Sequence, residues 1–336
     1  MLELDQITSL IIEPTSYCNL HCPQCPRFDA DGFLTANLSP AHLNPDLLVK
    51  NLDLNLLPNL KEVKLEGDYG DIMMHPTPTK FFDIFSQQEI NAVTNGSMRN
   101  SKFWASLAKY KNLTVTFSID GLADTNHIYR LNSNWDTIMS NVTAFIKNGG
   151  QAIWKFIVFE HNEHQINLAK QLSEQLGFKD FITQHTNRSW FLGDVWPVKI
   201  DGIFQHNIKP SIKANLELGV SLGQKTGALH EIKKFKGIDN IPNIVDNCYP
   251  RRRRSMYINH LGHLLPCCMT SALPWGKDIQ SQLWRKIVGN VDSIDLTKNS
   301  LSSIEQSPFY QQNLQASLQS NRKHPVCIAS CTTAKY

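Results

Sequence analysis

Short apolar, β-branched runs alternate with longer amphipathic stretches from Ile7 to about Ile182. Ser9 to Ile12, Glu62 to Leu65, Ala92 to Thr94, Leu113 to Ile119, Ala152 to Phe159 and Phe178 to Ile182 have the length and composition of buried strands. Between them, helical patterning covers Asn44 to Leu57, Thr79 to Gln87, Ser101 to Lys109, Trp135 to Lys147 and Gln165 to Leu176. Such alternation predicts parallel strands joined by helical crossovers, with ligands gathered at the carboxyl ends of the strands. Six units suit a partial (β/α)6 TIM-like barrel of the α/β class; the alternation alone equally allows a doubly wound sheet. From Gln184 to Asn247 the pattern breaks around Trp190, Gly193, Pro197, Gly202, Pro210 and Gly219, which predicts a bridging region with short helices.

Composition narrows the class. The chain has 336 residues with 41% hydrophobic content, enough for one large domain and a smaller one. A formal charge of +3 gives no bulk attraction to nucleic acid or membrane. The first residues, Met-Leu-Glu-Leu-Asp, are not a signal sequence, and no apolar run approaches the length of a membrane span. A cytoplasmic protein is expected, and there eight cysteines in short-spaced groups point to metal ligation ahead of disulfides.

The first group lies in P-T-S-Y-C-N-L-H-C-P-Q-C-P-R, directly behind the first strand. It spaces Cys18, Cys22 and Cys25 as C-x3-C-x2-C. Three thiolates on one loop can hold three irons of a [4Fe–4S] cluster, whose usual complement is four cysteines, and leave the fourth iron open. Zinc fits less well, because its structural sites use four ligands and only His21 could supplement the three.

This loop resembles that of the radical SAM superfamily. The resemblance implies that the open iron is chelated by S-adenosyl-L-methionine, which is cleaved to a 5′-deoxyadenosyl radical that abstracts hydrogen from a substrate. Gln24 stands where many relatives carry an aromatic residue near the adenine. Four further strand ends resemble the family's cofactor-binding positions. Gly70-Asp71, within Glu66 to Pro76, stands where Gly-Glu is usual and would meet the methionyl ammonium. Asn95 belongs to a T-N-G turn. Ser118, Asp120 and Arg130 follow the S-x-D-G…H-x-x-R run, and Asn162 matches a cofactor-contacting position after the fifth strand. His161 and His164 find no third ligand at a convincing spacing and are expected to cap a helix or sit at the surface.

The second group comprises Cys248, Cys267, Cys268, Cys327 and Cys331. Its opening reads C-x13-G-x4-C, and Ser255 to Pro266 reads as a β-hairpin with Gly262 in the turn. It resembles the start of the SPASM and twitch domains of radical SAM enzymes. The resemblance implies a small C-terminal α+β domain with one auxiliary [4Fe–4S] cluster on Cys248, Cys267, Cys327 and Cys331, leaving Cys268 spare or exchangeable with Cys267. Four cysteines also suit tetrahedral zinc. Arg251 to Arg254 form the strongest charge run, either a solvated face or a grip on phosphate or acidic side chains.

The expected organisation is a core at 1–183, a bridging region at 184–247 and a cluster domain at 248–336. The resemblance implies oxidation or bond formation in a ribosomally made peptide, with dehydrogenation or rearrangement of a small molecule such as a sugar or nucleoside as the other expectation. An electron donor such as flavodoxin or ferredoxin is the expected partner; membrane and nucleic acid are not. Outside enzymes, an iron–sulfur electron carrier or a zinc-stabilised nucleic-acid binder would use the same cysteines.

Overall fold

In a computed structural model, the protein is described at residues 3–36, 38–185, 195–211, 248–271, 274, 279–319 and 327. The strands are β1 (Ser9–Ile12), β2 (Glu62–Leu65), β3 (Glu89–Thr94), β4 (Leu113–Ser118), β5 (Gln151–Val158) and β6 (Asp180–His185). They continue with β7 (Trp196–Ile200), β8 (Ile203–Ile208), β9 (Ser255–Ile258) and β10 (Leu264–Leu265). The helices are α1 (Pro45–Asn51), α2 (Thr79–Ile84), α3 (Ser101–Leu107), α4 (Asn126–Tyr129), α5 (Trp135–Lys147) and α6 (Ile166–Leu176). After these come α7 (Tyr249–Arg253), α8 (Ile279–Val288), α9 (Leu301–Glu305) and α10 (Leu314–Gln319).

Two compact units divide the chain. One holds Met1–Ser16, Ala36–Asp68 and Lys225–Tyr336, the other Tyr17–Thr35 and Tyr69–Gln224.

In the second unit β3, β4, β5 and β6 lie side by side, all parallel, as strands joined by helical crossovers must. Helix α5 shows how the crossovers are fixed. Asn134 caps it by accepting from Thr137 N at 2.8 Å, and Ile138, Asn141, Val142 and Phe145 recur along its buried face. Phe145 packs against Trp104 and Phe117 in the core. The one polar member of that face, Asn141, donates to the carbonyls of Gly96 (2.9 Å), Met98 and Arg99 (3.3 Å each). A buried amide stays only where it is satisfied, so α5 both packs the core and holds the turn after β3.

In the first unit the order is β10-β9-β1-β2. β9 runs parallel to β1, pairing Ser9 with Ser255 through Ile12 with Ile258. β9 and β10 form the expected hairpin, with Gly262 at φ +92°. A side chain there would also meet Thr297 Cγ2 at 2.5 Å, so glycine is required twice over. The hairpin is tied down at His260, which is fully buried with Glu13. His260 Nδ1 lies 2.7 Å from Glu13 Oε2, and Nε2 donates to Ser39 O at 2.9 Å.

The bridging segment holds a difference from expectation. Its described part is not helical: β7 and β8 form an antiparallel hairpin turning at Asp201 and Gly202, whose φ values are +49° and +79°. An Asp-Gly pair in the left-handed region is the mark of a tight hairpin turn. The stretches 186–194 and 212–247 lie outside the described residues.

Candidate functional site

Cys18, Cys22 and Cys25 are free thiols on the loop after β1. Cys22 belongs to a buried apolar cluster with Leu20, Tyr129, Phe159, Val198 and Ile208, and Cys18 and Cys25 pack against it. All three sulfurs therefore share one apolar seat. Val198 and Ile208, together with Trp196 at the cluster's edge, come from the β7–β8 hairpin, so the bridging segment builds part of this site. Docking is backbone on backbone: Gly202 N donates to Asp31 O at 2.8 Å, Lys199 pairs with Asp31 at 2.6 Å, and a Cβ on Gly32 would lie 2.1 Å from Lys199 O.

Two strand ends reach the sulfurs. Asn95 Nδ2 lies 3.7 Å from Cys18 Sγ and donates to Asn19 Oδ1 at 3.0 Å, while Asn19 Nδ2 donates to Ser97 Oγ at 2.9 Å. Arg130 Nη1 lies 3.8 Å from Cys22 Sγ. The side chain of Arg27, which the sequence reading passed over, is buried and donates to Cys18 O at 2.9 Å and Leu20 O at 3.5 Å. A guanidinium adjoining two carbonyls fixes the loop's curvature, and no spacing rule points to it.

The remaining expected cofactor residues converge as a frame. Asp71 is buried, and its oxygens accept from Met73 N (2.9 Å), Thr94 Oγ1 (2.9 and 3.0 Å) and Asn95 N (2.7 Å). Its carboxylate is thus taken up in joining the loop after β2 to the turn after β3. Burial pushes its pKa up, opposed by those donors. Gly70 precedes it at a half-buried position, and Ser118 is half-buried at the end of β4.

Asp120 is fully buried; Oδ1 accepts from Ile157 N and Oδ2 from Arg130 Nε, both at 2.6 Å. Burial pushes this carboxyl up and would push the guanidinium down. Arg130 nevertheless ends well above its ordinary value because Asp120 faces it, so the proton stays on the guanidinium. Asn162 donates from Nδ2 to Asp120 O and Ile157 O at 2.9 Å each, and accepts from Phe159 N at 2.7 Å. It clamps the ends of β4 and β5 together.

His161 is not a helix cap. Its ring stacks on Phe159 at 5.3 Å, and burial pushes its pKa down to about 4, so it is neutral at ordinary pH.

In the second group Cys248, Cys267, Cys268 and Cys327 are free thiols, and Cys331 lies outside the described residues. Cys267 is pushed up to about 12, by burial first and then by Cys327 and Cys248; Cys327 is pushed up to about 12 by burial and Cys248. These three thiols are mutual neighbours. Cys268 is also raised, by burial first, but its leading charged neighbour is Asp68, followed by Cys267 and Glu66. It thus differs from Cys267 and Cys327 in having an acid after β2 as its leading charged neighbour.

Among the described residues no three His, Cys, Asp or Glu side chains converge on one ion-sized point. A cubane cluster puts each thiolate on a different iron, so its ligands surround an apolar seat without meeting at a point. Three thiols on one apolar cluster, with an amide N–H and a guanidinium at the sulfurs, fit that requirement.

The fold is of the α/β class, with the three-cysteine loop directly behind β1. Residues 248–332 match the SPASM family, an iron–sulfur cluster-binding domain. Among solved structures, Streptococcus suis SuiB bound to S-adenosylmethionine aligns with TM-score 0.59 at 15% identity, covering 94% of this chain and 68% of that one. SuiB bound to its precursor peptide SuiA gives 0.59 at 14%, covering 94% and 67%. Native anSMEcpe with bound AdoMet gives 0.51 at 13%, covering 91% and 82%. No curated protein sequence matches, and among the described residues no helix is long and apolar enough to cross a membrane.

The placement of the spare thiol yields a prediction. In anaerobically reconstituted protein, Cys267→Ala should lower iron per chain by about half, the share of one of two equal clusters. Cys268→Ala should leave iron unchanged. Iron analysis beside absorbance near the cluster bands checks both, and the reverse outcome would make Cys268 the ligand.

Proposed function

We propose that this chain is a radical SAM enzyme that modifies a peptide. The observation that carries it is the set of three thiols of Cys18, Cys22 and Cys25 on one apolar seat, with Asn95 and Arg130 at two of the sulfurs. When bound there, a [4Fe–4S] cluster with S-adenosyl-L-methionine supplies a 5′-deoxyadenosyl radical able to take a hydrogen atom from a substrate.

This chain's residues prepare that chemistry in three ways. Leu20, Tyr129, Phe159, Val198 and Ile208 wall the sulfurs on one side and limit water there, which protects a reactive radical from side reactions. Asp71, Asp120 and Asn162 are positioning residues, because the hydrogen bonds described for them run to other parts of the chain. Gly70, Asn95, Ser118 and Arg130 are the groups we assign to face the cofactor.

We assign the second cluster to Cys248, Cys267, Cys327 and Cys331, with an electron carrier as partner. A peptide substrate is favoured because SuiB with its precursor peptide, and anSMEcpe with the Cp18Cys peptide at TM-score 0.50, align over 94% of this chain each.

The test is anaerobic. Reconstituted full-length protein with dithionite and S-adenosyl-L-methionine should release 5′-deoxyadenosine. Release should rise, and a recovered peptide should change mass, when a pool of 20-residue peptides is added. Absence of 5′-deoxyadenosine sinks the enzymatic reading. Its formation with every peptide in the pool left unmodified sinks the peptide assignment.

A further inference from the structure

A basic surface lies at the amino ends of β1, β2 and β9, at the end of these strands opposite the one that carries ligands in parallel α/β folds. Thr8, Ser9, Lys61, Glu62, Lys64 and Arg253 line a shallow cleft of about 280 Å³. Arg251, Arg252, Arg253 and Arg254 are all exposed, as is Lys61. Lys64 pairs with Glu62 at 3.6 Å, and Glu62 is the one acid among the cleft's described lining. Arg253, Lys61 and Lys64 thus line the cleft with one carboxylate, and Arg251, Arg252 and Arg254 adjoin Arg253 in the chain.

The arginines are held in place. They form α7, and Arg254 closes it at φ +49° while its carbonyl accepts from Thr8 N at 2.9 Å and Ser9 N at 3.3 Å. Holding a non-glycine residue in that conformation costs energy, so the surrounding hydrogen bonds must enforce it. The same helix begins on Cys248, whose carbonyl accepts from Arg252 N at 3.0 Å. The basic surface is therefore one helical turn from the first cysteine of the domain that matches an iron–sulfur cluster-binding family.

We propose that this surface is the docking site for an acidic one-electron carrier protein, which rests on the function proposed above. Charge complementarity on an exposed face gives fast, salt-sensitive and reversible association, suited to a partner that must leave after each turnover. Guanidinium groups suit carboxylates because their paired N–H donors match both oxygens. The closeness of Cys248 favours a redox carrier over an acidic peptide or nucleic acid, neither of which has a use for a cluster ligand one turn away.

The experiment is calorimetric titration of reconstituted full-length protein with a plant-type [2Fe–2S] ferredoxin, an acidic carrier. Binding is expected to weaken about tenfold or more when moderate salt is added. It should weaken by at least about tenfold in Arg251→Glu/Arg253→Glu, with a smaller loss in the neutral Arg251→Gln/Arg253→Gln, which guards against misfolding of the first variant. Dithionite-driven release of 5′-deoxyadenosine should be unchanged in both. Ferredoxin affinity unaffected by these changes overturns the docking site, as does arginine-dependent binding of a 20-base-pair DNA duplex without ferredoxin binding. Failure of the dithionite reaction in the unaltered protein overturns the proposed function instead, so the two failures are distinct.

Discussion

Cys22→Ala should abolish release of 5′-deoxyadenosine from S-adenosyl-L-methionine and lower iron per chain by about half, while leaving the fold intact. The change removes one sulfur from a side chain 9% exposed, a small loss of buried volume that costs apo-protein stability on the order of 1 kcal/mol. The chemical loss is far larger, since a loop with two thiolates leaves two irons without protein ligands. The neighbours of Cys22 sharpen the test. Leu20, Tyr129, Phe159, Val198 and Ile208 can still pack around alanine, so circular dichroism and the melting midpoint should move little while activity disappears. A variant that keeps cleaving the sulfonium would show that the radical is generated elsewhere. Cys18→Ala should behave likewise, and additionally leave Asn95 Nδ2 with Asn19 Oδ1 as its remaining partner.

Parts of this site are written locally in the chain, and other parts cannot be. β1, β2 and α5 have the bounds that their patterns predict, because each is set by side-chain alternation or by a cap within a few residues. The three-cysteine loop and the hairpin around Gly262 are equally local. The β7–β8 hairpin went unread although its turn carries Asp-Gly; the prolines and glycines around it pulled the whole stretch toward irregularity, and strands with mixed exposed faces have weak alternation. The pairing of β9 with β1 joins residues more than two hundred positions apart, and nothing in either run marks the other. Asp71 shows a subtler limit. Its position by likeness was legible, but only the fold shows Thr94 and Asn95 turned back on its carboxylate. Residue type identifies a chemistry; the direction a side chain faces is decided by which distant backbone donors reach it.

Arg130→Met should destabilise the protein by about 3–5 kcal/mol, the range for removing one partner of a buried ion pair. Asp120 is fully buried and its Oδ2 has the guanidinium at 2.6 Å, so loss of the cation leaves a carboxylate facing a thioether with Ile157 N as its remaining described donor. Pairing the change with Asp120→Asn should recover most of the stability, because the amide oxygen still accepts from Ile157 N and no charge remains buried. Chemical denaturation of the single and double variants reads that recovery, and a double variant as unstable as the single would mean that Arg130 acts through packing on Tyr129. The restored fold then isolates a second role. Arg130 Nη1 lies 3.8 Å from Cys22 Sγ and acts on that thiol more strongly than Asp120 does, so both variants remove the leading positive charge from the cluster's edge. Adding an electron to the cluster makes it more negative, and a nearby cation favours that form. Without it the midpoint potential of the reconstituted double variant should fall. A redox titration that finds the potential unchanged would confine Arg130 to holding Asp120.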